Sequence, residues 1–127
     1  MTGNVTFQFE KLQVYQKALE AIDKIYEYTN SFPKEEMYGI TSQFRRAAVS
    51  ISLNIAEGSA RSKKDFRCFL DITQGSICEC VALLTICKRR KYIEEAPFSQ
   101  LRMDLDELAK MTSGLKRGIG FSNRSES

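Results

Sequence analysis

Gln43-Phe44-Arg45-Arg46-Ala47-Ala48-Val49-Ser50-Ile51-Ser52-Leu53-Asn54-Ile55-Ala56-Glu57-Gly58 reads as one helix with two stripes. At about 100° per residue, Phe44, Ala47, Ala48, Ile51 and Ile55 share a face, the pattern of a helix that buries one side. Beside them Gln43, Arg46, Ser50, Asn54, Glu57 and Arg61 fall within roughly 60° of one line. With only 7 Gly and 2 Pro in 127 residues, few breakers interrupt such runs. An all-α fold follows, in a chain long enough for one hydrophobic core without staples.

Outward from this stretch, Ser62-Lys63-Lys64-Asp65 has the capping-box spacing that opens a helix. The apolar line Phe66, Phe69, Leu70, Thr73, Ile77, Cys80, Leu84 and Cys87 then predicts a helix over 63–92. On the other side, Phe9, Leu12, Tyr15, Ala18 or Leu19, Ile22, Ile25, Tyr26 and Thr29 predict a helix over 9–30, stopped by Asn30-Ser31-Phe32-Pro33. The central helix spans 41–60, and Phe98, Leu101, Leu105, Leu108, Met111, Leu115 and Ile119 mark a last one over 97–120. Short connections make the helices antiparallel neighbours, so the expected architecture is an up-down-up-down four-helix bundle over 1–121. The polar segment 122–127 reads as a disordered tail.

The tight turn between the second and third helices places residues whose numbers sum to about 124 side by side. Arg46 then lies opposite Cys78 and Glu79, and Glu57 opposite Arg67, with Ser50 and Asn54 between them near Thr73, Gln74 and Gly75. The polar stripe Gln43, Arg46, Ser50, Asn54, Glu57 with Glu79 is therefore either a seam that holds two helices in register or the lining of a groove for a ligand or partner. Val49, Leu53 and Ala60 point about 150° or more from the core face of their helix, and Ile72 and Ile86 lie roughly 100° off the next core line. A second apolar face predicts burial against another copy of the chain.

Composition excludes several chemistries. No histidine is present, and no glycine-rich phosphate loop or paired-carboxylate element occurs, so an enzyme is not expected. Four cysteines, Cys68, Cys78, Cys80 and Cys87, belong to one helix and diverge, Cys78 by about 200° from Cys80, which argues against a metal or a disulfide. No cofactor is expected. No apolar run approaches the ~18 residues of a spanning helix, and Met1-Thr2-Gly3-Asn4-Val5 lacks the basic-then-apolar order of a leader, so no membrane association and a cytoplasmic location are expected.

Phe9-Glu10-Lys11-Leu12, Phe32-Pro33 with Glu36 and Tyr38-Gly39, Gln43-Phe44-Arg45-Arg46-Ala47-Ala48, Asn54-Ile55-Ala56-Glu57-Gly58, Lys64-Asp65-Phe66 and Gly75-Ser76 with Glu79 together resemble the bacterial four-helix bundle family named for reading frames in 23S rRNA intervening sequences. The resemblance covers residues 9 to 119. It implies a ring-like homopentamer, no established enzymatic activity and a largely unassigned molecular function. More distant relatives look like accessory proteins of diversity-generating retroelements, which bind nucleic acid and a reverse transcriptase.

A net charge of +3 is modest for a nucleic-acid binder, yet the cations cluster. Arg61, Lys63, Lys64 and Arg67 surround the turn between helices two and three, and Lys88-Arg89-Arg90-Lys91 closes helix three. Cations at a helix carboxyl end suit its dipole, whereas those at an amino end oppose it and point to an anionic partner. Repetition around a ring would multiply either patch. An unidentified protein partner held by a scaffold and RNA or DNA on the basic ends are the two partner classes left open.

Overall fold

The computed structural model describes the backbone of residues 7–126 and the side chains of residues 7–120. Among the described residues there are four α-helices and no strand: α1 (Gln13–Thr29), α2 (Ile40–Ser59), α3 (Lys63–Arg89) and α4 (Glu95–Glu126). This is the all-α bundle that the periodicity predicts. Single 3₁₀ turns at Gln8–Lys11 and Lys34–Glu36 lead into α1 and α2.

Boundaries depart from expectation for identifiable reasons. The Phe7 amide donates to Glu10 Oε1 at 2.7 Å and closes a 3₁₀ turn, after which extended backbone at Leu12 separates that turn from α1. This break resets the helical phase. Of the apolar line traced from Phe9, Ala18, Ile25 and Thr29 are buried and Leu12, Tyr15 and Ile22 pack half-buried against the core, whereas Val14 and Ala21, outside that line, are buried as well and Tyr26 is exposed. At the far end of α3 the helix stops at Arg89 and not at residue 92, because Lys91 adopts a left-handed φ of 64°. The Tyr92 amide then donates to Cys87 O and the Lys91 amide to Lys88 O, the Schellman arrangement usually built on glycine. Pro97 falls in the first turn of α4, where its missing donor costs nothing. That helix continues beyond residue 120 to Glu126, so the backbone of the segment expected as a tail is helical up to there. Residue 127 lies outside the described residues.

Each helix packs on the next, and α1 closes the cycle on α4. Cross-contacts run antiparallel. Ser50 meets Ser76 while Gly58 meets Phe66 and Phe69, and Gln74 reaches Ala109 and Ser113 while Lys88 reaches Glu95. The core holds the predicted Phe44, Ala47, Ala48, Ile51 and Ile55 of α2 and Leu70, Ile77, Cys80, Leu84 and Cys87 of α3, with Leu101, Leu105 and Leu108 of α4. Burial of such side chains contributes about 1.5–3 kcal/mol each and dominates the stability of the bundle.

By length and composition alone α3 reaches the level of a membrane-crossing helix, with a mean hydropathy of 1.4 over its most apolar stretch. Gln74, Ser76 and Glu79 interrupt it, so it is not a continuous apolar run of about 18 residues. Only 39% of that stretch is buried in the bundle, so part of its apolar surface faces outward.

Candidate functional site

The polar stripe of α2 faces α3 across a shallow groove, and its middle is closed. Ser50 Oγ lies 2.9 Å from Ser76 Oγ, close to the expected register, and Ser76 is buried. Asn54 Nδ2 donates to Ser50 Oγ at 3.0 Å and to Ser50 O at 2.8 Å. The Ser50 hydroxyl can accept from the Asn54 amide and share a further hydrogen bond with Ser76, so the three side chains form one network and hold the two helices in register.

The two ends of the stripe behave differently. Near residue 58 the expected pairing of Glu57 with Arg67 is not made. Glu57 Oε2 instead accepts from Arg61, in the turn just past the end of its helix, at 2.8 Å, and Arg67 Nε is buried with no hydrogen-bond partner. At this level the α2 backbone packs directly on Phe66 and Phe69 at Gly58, and Arg61 lies over the Phe69 ring at 5.4 Å. At the other end Arg46 and Glu79, expected to meet, line one cavity of about 410 Å³ without forming an ion pair. Ser42, Gln43 and Ala47 of α2 complete the wall on its own side, with Tyr38 at the rim.

Next to that cavity, and sharing Arg46 and Ser50 with it, a second cavity of about 340 Å³ lies where α2 borders α1, lined by Tyr26, Arg45, Arg46, Val49, Ser50 and Leu53. Arg45 covers the Tyr26 ring at 4.7 Å and donates to Thr29 Oγ1 at 2.9 Å and Asn30 Oδ1 at 3.1 Å. This arginine fastens α2 to the end of α1. Leu53 is 61% exposed, Ile72 51% and Ile86 44%, Ala60 is exposed and Val49 half-buried. All five lie off the core faces of their helices.

The basic residues are partly engaged. Lys88 Nζ lies 2.7 Å from Glu95 Oε1 and 5.4 Å from the centre of the Phe98 ring. A hydrogen bond with Tyr92 raises the pKa of Arg90, while Tyr92 itself donates to Glu36 Oε2 at 2.8 Å. Lys63, Lys64, Arg89 and Lys91 are exposed.

One charged cluster escaped the sequence reading. Asp104 lies on the apolar face of α4 beside Leu101, Leu105 and Leu108, is only 4% exposed, and is held by Lys24 at 2.6 Å, Lys17 at 3.2 Å and Gln100 at 3.2 Å. Burial pushes its carboxyl pKa upward, but the hydrogen bonds and charges of the two lysines outweigh this and hold it below the ordinary value. The available signal was a carboxylate inside a core line, matched by two lysines seven residues apart on α1.

Among the cysteines, Cys68 and Cys78 are exposed while Cys80 and Cys87 are buried. Burial, assisted by Glu79, pushes the Cys80 thiol to about 12, and burial, assisted by Glu36, pushes Cys87 to about 11. Among the described residues no group of three or more His, Cys, Asp or Glu side chains is placed to hold a metal ion.

No curated protein matches the chain significantly. Among solved structures it is similar to a protein of unknown function from the S23 ribosomal protein family of Bacteroides thetaiotaomicron, at 25% identity and a TM-score of 0.73 over 81% of this chain and 97% of the other. The model of the 23S rRNA-intervening sequence proteins matches residues 10–114, a span that holds α1 to α3, most of α4, the Ser50–Ser76 seam and the Gly58 contact. The chain belongs to the 23S rRNA-intervening sequence protein family.

Proposed function

We propose that this protein is a non-enzymatic building block that assembles with copies of itself through α2 and α3 and presents the assembled surface to a protein partner. The observation that carries the reading is the pair of uncovered apolar faces, Leu53 with Val49 on α2 and Ile72 with Ile86 on α3. Large side chains left this open across two neighbouring helices favour association. The two faces flank the polar groove and differ in composition, the first being rimmed by Arg45 and Arg46. Contact between unlike faces is heterologous, and repeated heterologous contacts form a ring when the rotation between copies closes. A homopentamer is the count that the family resemblance implies.

Sedimentation equilibrium at micromolar concentration tests this. The expected mass is a multiple above two of the 14.5 kDa chain, and Leu53→Glu and Ile72→Glu each reduce it to one. Mixing the two variants should restore a dimer, because each retains one intact face. A monomeric parent protein overturns the proposal.

A second reading, RNA or DNA binding, is favoured by exposed Lys64 one turn from Arg67, whose Nε has no partner, in the first turns of α3 where the dipole opposes cations. Anisotropy titration of labelled RNA and DNA at about 50 mM salt checks it: affinity must fall steeply with added salt and vanish on replacing Lys63, Lys64 and Arg67 with Glu.

A further inference from the structure

We infer that the end of the α2–α3 groove nearest Tyr38 is a binding site for a small zwitterion of the α-amino-acid type, its carboxylate on Arg46 and its ammonium on Glu79. This goes beyond the assembly reading and does not depend on it. The cavity there measures about 410 Å³, within the range of small-molecule sites and larger than one amino acid needs. Two exposed side chains of opposite charge, on different helices, face into it without an ion pair between them. An exposed pair of this kind contributes little when it does form, so a ligand that separates the two charges displaces almost nothing.

The remaining lining matches such a ligand. Ser42 and Gln43 supply neutral donors and acceptors in the same wall as the guanidinium, and the nearly buried Ala47 adds an apolar contact. Ser50 is fixed by Asn54 and Ser76, so the floor of the groove is organised before anything binds. Tyr38 stands at the rim with 97% of its surface exposed, an apolar ring without intramolecular cover that can fold over an apolar side chain. Charge also sets selectivity. A simple anion satisfies Arg46 but is repelled by Glu79, and a simple cation meets the reverse, whereas a zwitterion satisfies both. The guanidinium offers a planar fork to a carboxylate, and the carboxylate of Glu79 accepts from an ammonium.

Equilibrium dialysis of the full chain against L-phenylalanine and L-leucine tests the site, with phenylacetate and phenethylamine as probes lacking one charge each. Saturable retention of at least one of the two amino acids, with a Kd of about 1 mM or tighter, is expected, and at least about tenfold weaker retention of the single-charge probes. Arg46→Gln and Glu79→Gln should each weaken amino-acid binding about tenfold or more while leaving the thermal midpoint unchanged, since both residues are exposed. Tyr38→Ala should weaken L-phenylalanine more than glycine. Leu53→Glu, which lies outside this cavity, should dissociate the proposed assembly yet keep the binding, so the two proposals fail separately. Retention of both amino acids no better than the single-charge probes overturns the inference, as does binding that survives either glutamine variant.

Discussion

A β-carbon added to Gly58 of α2 would lie 2.6 Å from Phe69 Cβ of α3, closer than two such carbons can approach. The same atom would lie 2.8 Å from Phe66 Cδ1. Glycine is required here by the neighbouring helix and not by its own backbone, which is helical. The contact fixes how near α2 and α3 come at their shared turn, and through it the register in which Ser50 meets Ser76.

Gly58→Ala should therefore destabilise the bundle by about 1–3 kcal/mol, even though alanine is the better helix former by about 1 kcal/mol. The Phe69 backbone cannot retreat without moving α3. Urea unfolding checks this, and an unchanged midpoint would mean that the two helices separate freely.

Asp104 gives the fold an acid dependence. Its folded pKa is lowered, so the stabilisation is fully present above the unfolded value of 3.8 and is lost as pH falls through the folded value. Asp104→Asn should abolish that part of the acid transition, and Asp104→Ala should cost about 1–3 kcal/mol at pH 7, since it removes hydrogen bonds from two lysines that then turn toward water. Denaturation profiles between pH 2 and pH 7 separate these outcomes.

Lys91 occupies a left-handed position that favours glycine. Lys91→Gly should stabilise the protein by about 0.5–1 kcal/mol by relieving that conformation, against the usual loss when glycine replaces another residue. A rise in thermal midpoint is the expected result.

Thiol chemistry should divide the cysteines two and two. At pH 8 a thiol reagent is expected to modify Cys68 and Cys78 rapidly and to leave Cys80 and Cys87 unmodified until the chain unfolds, since their pKa values of about 12 and about 11 keep them protonated and the core excludes the reagent. Mass spectrometry of peptides after timed labelling reads each site. If α3 forms an interface, Cys78, exposed on the same helix between Ile72 and Ile86, should react faster in Ile72→Glu than in the parent chain.

Much of this architecture was legible in the residues. The α2 core face and the α3 core line from Leu70 to Cys87 were read from periodicity, and all of those side chains are buried. The stop at Pro33 and the start at Ser62 followed from local chemistry, and Ser62 Oγ accepts the Asp65 amide at 3.1 Å. These features are properties of a few consecutive residues, so no distant contact can overrule them easily. Where the structure differs, the core side of α1 is rotated toward Val14 and Ala21 and away from Tyr26, and the end of α3 is set by a lysine in a glycine's conformation.

Charge partners show the division most plainly. Periodicity and charge placed Arg46, Ser50, Asn54 and Glu57 on one stripe, because angular position on a helix depends only on residue spacing. Which of them would pair depended on the distance between α2 and α3 at each level. At Gly58 the helices are close, yet Glu57 pairs with Arg61 and not with Arg67, while further along a cavity stays open and Arg46 and Glu79 make no ion pair. Spacing along a chain sets the direction of a side chain, but hydrogen bonds and ion pairs depend on ångström-scale separations that only the packed helices establish.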